Sequence, residues 1–238
     1  MQLILLAAGR GSRLPMIHRK KPKCLVQINN KTILEYNQKF ISKFKKKIII
    51  TGYKDKLLRN FAKENDFKVI KNMNYNNTNM VQSLFLSYKF VKESVVVCYG
   101  DIIFNHQIYE YLKKDSDIMP VNKNWLKTWK ARMPVSEIKK DAENLIIKKN
   151  RLLSIGGKIK NKNPKYQYMG IFKLKKKTFF KLKSFYKTLN NKKIDMTNFI
   201  NKATKAKKLS FKTSVYRSFW FEIDTRRDIQ VTSKEIKV

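Results

Sequence analysis

Residues 6 to 14 read LAAGRGSRL, and KPKCLV follows at 21 to 26. Gly9 and Gly11 can take positive φ and bring backbone N–H groups close to an oxyanion, where a Cβ would obstruct the approach. Arg13 adds a fork of donors, and Lys23, on an approach stiffened by Pro22, can set a second cation on the same group. The chemistry these types and spacings offer is the holding of a phosphate-bearing anion. The stretch lacks the Gly-Lys-Ser/Thr end of a P-loop and the third glycine of a dinucleotide fingerprint. By itself a G-x-G turn is equally compatible with a plain structural loop, and Lys23 with a solvated side chain.

Something must aim that loop. QLILLA, directly before it, reads as a strand, and TILEYNQKFISKF as a helix carrying Ile33, Leu34, Tyr36, Phe40, Ile41 and Phe44 on one broad face. The alternation continues through KIIITG (strand), KDKLLRNFAKE (helix), FKVI (strand), NMVQSLFLSYKFV (helix) and SVVVCYGD (strand). This rhythm predicts an α/β fold, a mostly parallel sheet with helices on both faces. Ligands bind such sheets at the carboxyl ends of the strands, which is where Gly9 to Arg13 falls. Beyond about Asp115 the rhythm degrades into what reads as a mixed sheet and lid, with a turn at Gly156 and Gly157. Order returns with helices at 175–187 and 196–206, a strand near 209–216, the strand WFEID and a last helix.

Composition sets the outer limits. A chain of 238 residues with 42% hydrophobic and 12% aromatic residues can bury a sizeable core. No apolar run approaches a membrane span. The opening MQLILLAA lacks the basic n-region of a signal peptide, so a cytoplasmic protein is expected. Cys24 and Cys98 have neither disulfide-framework nor metal spacing, and His18 and His106 have no ligand partners nearby in sequence. The 54 Lys+Arg against 17 Asp+Glu give a net charge of +37, which invites a nucleic-acid partner. The lysines are scattered beside Asn and Ile rather than gathered in a stripe, and no nucleic-acid-binding motif is visible, so no specific nucleic acid is expected. The same field draws anionic small molecules toward any cleft.

LAAGRGSRL followed by PKCLV resembles the signature of the nucleoside-triphosphate transferases, the enzymes that make sugar nucleotides and related activated head groups. The resemblance implies a Rossmann-like, glycosyltransferase-A-like fold, with a nucleotide-binding half at about 1–115, an acceptor-binding half at about 116–218 and a metal strand and helix at 219–238, all in one domain. It implies that Leu6, Ala7, Ala8, Gly9, Arg10, Gly11 and Ser12 wrap the triphosphate while Arg13 and Lys23 bind its phosphates. Asp101, ending SVVVCYGD, and Asp224, ending WFEID, match the family's metal-binding aspartates and would hold Mg²⁺, with Glu222 assisting. Helix capping is the ordinary use of both aspartates. Asn79, Gln82 and Ser83 in NNTNMVQSL match the region of base contacts, with capping by Thr78 or Asn79 as the alternative. N-x-x-x-S-L together with YGD is most similar to bacterial phosphocholine cytidylyltransferases and their capsule-building relatives, which implies CTP.

For the acceptor, Trp125 and Trp129 are four apart and would share a helical face able to hold a quaternary ammonium, core packing being the alternative. Asp141 and Glu143 can meet an ammonium group or simply face water, and Tyr168 in QYMG resembles a position lining the acceptor pocket. The implied reaction joins CTP to a phosphomonoester such as phosphocholine or another phosphorylated amino compound, with loss of pyrophosphate. The acceptor phosphate is already anionic, so no general base is needed. A sugar-1-phosphate nucleotidyltransferase and, from another class, a basic nucleic-acid-binding protein or a nucleotide sensor are the competing readings. The sequence assigns no oligomeric state.

Overall fold

The six residues of β1 (Gln2–Ala7) are all buried, as a strand covered on both faces requires. Its side chains alternate between two cores. Leu3, Leu5 and Ala7 pack with Leu34, Phe40, Leu58 and Ala62 on one side of the sheet, and Ile4 and Leu6 with Val81, Leu84, Phe179 and Phe199 on the other. The computed structural model describes residues 1–16, 20–159 and 163–236, so His18 lies outside the described residues.

After β1, β2 (Gln27–Ile28) and β3 (Lys31–Thr32) form a small hairpin whose turn residues Asn29 and Asn30 take φ of 47° and 62°. The sheet then adds β4 (Lys46–Thr51), β5 (Phe67–Lys71) and β6 (Val95–Tyr99), parallel in the order β5-β4-β1-β6. Order reverses at β1, which is the switch point where open α/β sheets bind ligands. β7 (Ile102–Phe104) leaves the sheet, and β8 (Ile118–Asn122), β9 (Leu145–Lys148), β10 (Arg151–Ile155), β11 (Gln167–Tyr168), β12 (Ile171–Leu174) and β13 (Lys212–Tyr216) extend it. The full order is β5-β4-β1-β6-β12-β8-β13-β10-β9, with β11 on β8. β12 runs antiparallel to β6 and so joins the regular first part to the mixed second part in one sheet. β14 (Trp220–Glu222) pairs antiparallel with β7.

One local expectation is corrected. The helix expected over TILEYNQKFISKF is two short helices, Ile33–Tyr36 and Gln38–Ile41, because the buried Asn37 turns its amide to donate to the Ile102 carbonyl at 2.7 Å and so ties this layer to β7. The β9–β10 turn is Lys149–Asn150, with φ of 47° and 56°, and Gly156–Gly157, with φ of 89° and 81°, follow β10. Two consecutive left-handed residues match the twist of a two-residue hairpin.

Candidate active site

Where β1 ends, the chain turns through Gly11 to Leu14, whose N–H donates to the Gly11 carbonyl at 3.0 Å. Gly11 has φ of +63°, and a Cβ there would stand 3.1 Å from the Leu14 side chain. Gly9 differs: a Cβ there would meet nothing within 4 Å, so its lack of a side chain leaves open space. That space belongs to a cavity of about 680 Å³ over the ends of β1 and β6. Leu6, Ala7, Ala8 and Gly9 form one wall, Asn79 and Ser83 another, and Lys23 and Asp101 stand at its end. Arg10, Gly11, Ser12 and Gln82 do not line it. The Arg10 guanidinium lies instead over the Tyr53 ring at 5.6 Å. Asn79 is a cap: its Oδ1 accepts from the Met80 N–H at 2.7 Å, which opens the helix Met80–Leu86. The buried Ser83 hydroxyl accepts from Asn72 at 2.9 Å.

The end of this cavity is strongly charged. Pairing of Glu222 with Ile102, and the Ile223 N–H donating to the Asp101 carbonyl at 2.9 Å, bring the end of β14 beside the end of β6. Asp101, Glu222 and Asp224 thereby offer carboxylate oxygens within 4.8 Å of one another. The Lys23 ammonium lies between them, 2.7 Å from Asp101 Oδ2 and in contact with Asp224 Oδ1. Arg13 Nη2 meets the other Asp224 oxygen at 2.6 Å. Burial by itself would push the Lys23 ammonium down, but Asp101, Asp224 and Glu222 outweigh it and hold it above its ordinary value. Burial, then the charges of Asp224 and Asp101, push Glu222 up to about 8. Asp101 Oδ1 is buried with no hydrogen-bond partner among the described residues. Neither aspartate is a helix cap: Thr225 and Asp228 cap the helix Arg226–Glu235, and Gln107 precedes the helix Ile108–Leu112.

A second cavity, of about 760 Å³, opens on the far side of this cluster and shares Met80 and Tyr99 with the first. Arg13, Trp129, Asp141, Glu143 and Tyr168 line it, as do Glu222 and Asp224. Trp125 does not. It is 1% exposed, its indole N–H donates to the Pro164 carbonyl at 3.1 Å, and it packs edge-on against Trp129 at 5.3 Å, so the core use of this tryptophan applies. Trp129 carries the Arg132 guanidinium over its ring at 4.7 Å and stacks on Trp220 at 6.4 Å, so the protein's own groups cover its faces. Asp141 is not simply facing water, for it lies 4.0 Å from Arg13 and 3.6 Å from Arg132. Glu143 accepts from the Thr197 hydroxyl at 2.7 Å, and the same hydroxyl reaches Asp195 at 2.9 Å. Burial raises the Glu143 carboxyl above its ordinary range, the Thr197 hydrogen bond opposes this, and the neighbouring Asp195 and Asp141 add to it.

Arg132, Asp195, Thr197 and Trp220 were not singled out from sequence. Asp195 carries a legible signal, an Asp opening an apolar-periodic helix, and it does cap Met196–Lys205. Arg132 has none beyond its i, i+3 spacing from Trp129.

The model of the MobA-like NTP transferase domain matches residues 3–124, half of the chain. A CTP:phosphoglutamine cytidylyltransferase of Campylobacter jejuni is 28% identical, over 97% of this chain and 98% of that protein. A choline-phosphate cytidylyltransferase of Streptococcus pneumoniae is 29% identical over 49% of this chain and 52% of its own length. In structure, the inositol-1-phosphate CTP transferase from T. maritima superposes with a TM-score of 0.78 over 98% of this chain and 95% of that one, at 20% identity, which shows the shared fold. The glycine loop on the first strand, the sheet that reverses at it and the match across the first half together make this chain a nucleotidyltransferase belonging to the family of MobA-like NTP transferase domains.

Proposed function

We propose that the protein transfers the cytidylyl group of CTP to a phosphomonoester that also bears a cationic amino group, releasing pyrophosphate. The observation that carries this reading is the join between the two cavities: both open on the Asp101, Glu222 and Asp224 cluster, one from the glycine loop and the other from an acidic pocket. That pocket holds Asp141, Glu143, Asp195, Glu222 and Asp224, five of the 17 acidic residues in a chain of net charge +37. A wall so enriched in carboxylates favours a positive group on the acceptor. The choice of CTP draws on the relatives, whose names specify CTP or cytidylyl transfer.

An oxygen of the acceptor phosphate attacks the α-phosphorus, forming the new P–O bond as the bond to the bridging β-oxygen breaks, and pyrophosphate departs with the electron pair. Arg13 and Lys23 neutralise the departing group, and the loop N–H groups orient it. The carboxylates of Asp101, Glu222 and Asp224, with the unpartnered Asp101 Oδ1, suit a hard cation that takes oxygen ligands, and these three residues would hold Mg²⁺. When bound, Mg²⁺ supplies charge neutralisation for the reacting phosphates. Cytoplasmic head-group activation for a surface polysaccharide is the role that fits such a product. Pyrophosphate release, measured over the four nucleoside triphosphates and a panel of phosphomonoesters, tests the reading. CTP with an amino-bearing acceptor is expected to be fastest; a hexose 1-phosphate turned over faster than every amino-bearing acceptor would overturn the acceptor class.

A further inference from the structure

Arg132 ends the helix Trp125–Arg132, and its side chain is only 4% exposed. A guanidinium is rarely so buried unless it is paired. Its fork reaches three separate elements. Nε lies 3.1 Å from Asp228 Oδ1, Nη2 lies 3.6 Å from Asp141 Oδ2, and Nη1 donates to the Glu222 carbonyl at 3.3 Å while standing 3.7 Å from Glu222 Oε2. Trp129 supports the guanidinium plane from below.

These contacts lead to the carboxylate cluster by two routes. Glu222 is held directly, through both its carbonyl and its carboxylate. Asp224 is held through Asp228, whose second oxygen accepts from the Asp224 N–H at 2.9 Å and the Thr225 N–H at 2.7 Å. Arg132 therefore sets its charge against the carboxylate that in turn fixes the Asp224 backbone, through an ion pair in which Nε makes no hydrogen bond among the described residues.

We infer that Arg132 is the positioning residue that holds Glu222 and Asp224 in register to receive a divalent cation. The inference rests on the proposed reading of Asp101, Glu222 and Asp224 as ligands of that cation. Arginine is specifically required, because a planar fork serves oxygens on several sides at once, whereas an ammonium is a point charge that serves one direction. A role confined to packing makes a different prediction. Substitution would then lower the melting temperature and leave the cation affinity of the folded protein unchanged.

The test is titration of the full chain with Mn²⁺ alone, free Mn²⁺ being read by electron paramagnetic resonance, on wild type, R132K, D228N and D101N, each checked for native circular dichroism. Loss of a partner that orients a ligand weakens metal affinity by about 10- to 100-fold, so R132K should bind at least tenfold more weakly than wild type. D228N keeps an oxygen for the backbone N–H groups but removes the charge facing Arg132, and it should shift affinity in the same direction by a smaller factor. D101N reports on the cluster itself. If D101N loses Mn²⁺ while folded R132K and D228N bind within twofold of wild type, the inference is overturned and the reading of the cluster stands. If wild type takes up no Mn²⁺, or D101N binds as wild type does, that reading falls and the inference with it. Should R132K not fold, D228N decides by the same twofold criterion.

Discussion

Replacing Lys23 with methionine removes the ammonium that lies between Asp101 and Asp224 and leaves a side chain of similar length. At the 2.7 Å contact with Asp101, each opposite-charge pair is worth roughly 6 kcal/mol gross at an effective dielectric of about 20. Much of that offsets the desolvation of Lys23, whose side chain is 13% exposed. Removing one member of a buried pair costs about 3–5 kcal/mol, because the remaining charges stay behind uncompensated. Here three carboxylates within 4.8 Å would face one another, with Arg13 and Arg132 the cations paired to them among the described residues. For a domain of this size about 3 kcal/mol corresponds to a fall in Tm of roughly 6–12 °C. The loss should appear in EDTA and be largely reversed by Mg²⁺, since ligand at about 100 times its Kd returns about 2.7 kcal/mol. Wild type, in which the ammonium already neutralises the cluster, should gain far less from the same Mg²⁺. Thermal melts of both proteins in EDTA and in Mg²⁺, without nucleotide, provide the assay. K23M melting within about 2 °C of wild type in EDTA, or failing to recover in Mg²⁺, would show that Lys23 is not the counter-ion of this cluster.

Arg13→Ala should lower kcat/KM for CTP by about two to three orders of magnitude, a donor to developing charge being worth roughly 2.7–4 kcal/mol, as measured by pyrophosphate release. Glu222, pushed up to about 8, binds its proton more tightly when folded than when unfolded, so its contribution to stability is present at low pH and fades as pH rises from its ordinary range through 8. In EDTA, E222Q should therefore gain in Tm relative to wild type between pH 5 and pH 8.5, and parallel curves would contradict this. Glu143→Gln should raise KM for an amino-bearing acceptor by about tenfold or more, the value of roughly 1.5 kcal/mol for a charge-assisted hydrogen bond, and leave KM for CTP unchanged. Equal increases for both substrates would remove Glu143 from acceptor recognition.

The first half of the sheet was legible because β1, β4 and β6 are short apolar runs buried on both faces, and the glycines after the first of them mark a strand end. That Asp101 and Asp224 end such runs could also be read from the sequence. What joins them could not: the β7–β14 pairing involves three-residue strands far apart in the chain, and the bond between the Ile223 N–H and the Asp101 carbonyl leaves no trace in either segment. Asn37 broke a well-patterned helix for a similar reason, since its amide serves a carbonyl 65 positions later. The hairpin turn at Lys149 and Asn150 carries little trace in the sequence, because asparagine's tolerance of left-handed backbone is a weaker signal than glycine's. Arg132 was hidden by composition. Among 54 basic residues, burial and its three carboxylate neighbours are what mark out Arg132, which faces Asp228, Glu222 and Asp141.

The same composition gives the acidic pocket its meaning. A net charge of +37 attracts every phosphorylated metabolite to this surface, so attraction cannot by itself discriminate between acceptors. Selection has to come from a local reversal of sign. Glu143 and Asp195 share one Thr197 hydroxyl, which has a single hydrogen to donate; Asp195 also accepts from the Asn198 N–H at 2.8 Å and the Asn198 side-chain amide at 2.6 Å, so Glu143 is the carboxylate that gains most from a further donor. On the proposed reaction, a phosphate that arrives alone meets these carboxylates as repulsion, whereas one that carries an ammonium supplies both a donor for Glu143 and the compensating charge. Rejection of the plain anion is then as much a part of specificity as binding of the zwitterion. The E143Q variant separates the two effects. Besides binding the amino-bearing acceptor less well, it should accept a phosphomonoester without an amino group better than wild type does. Loss of activity toward both would leave the carboxylate with a structural role only.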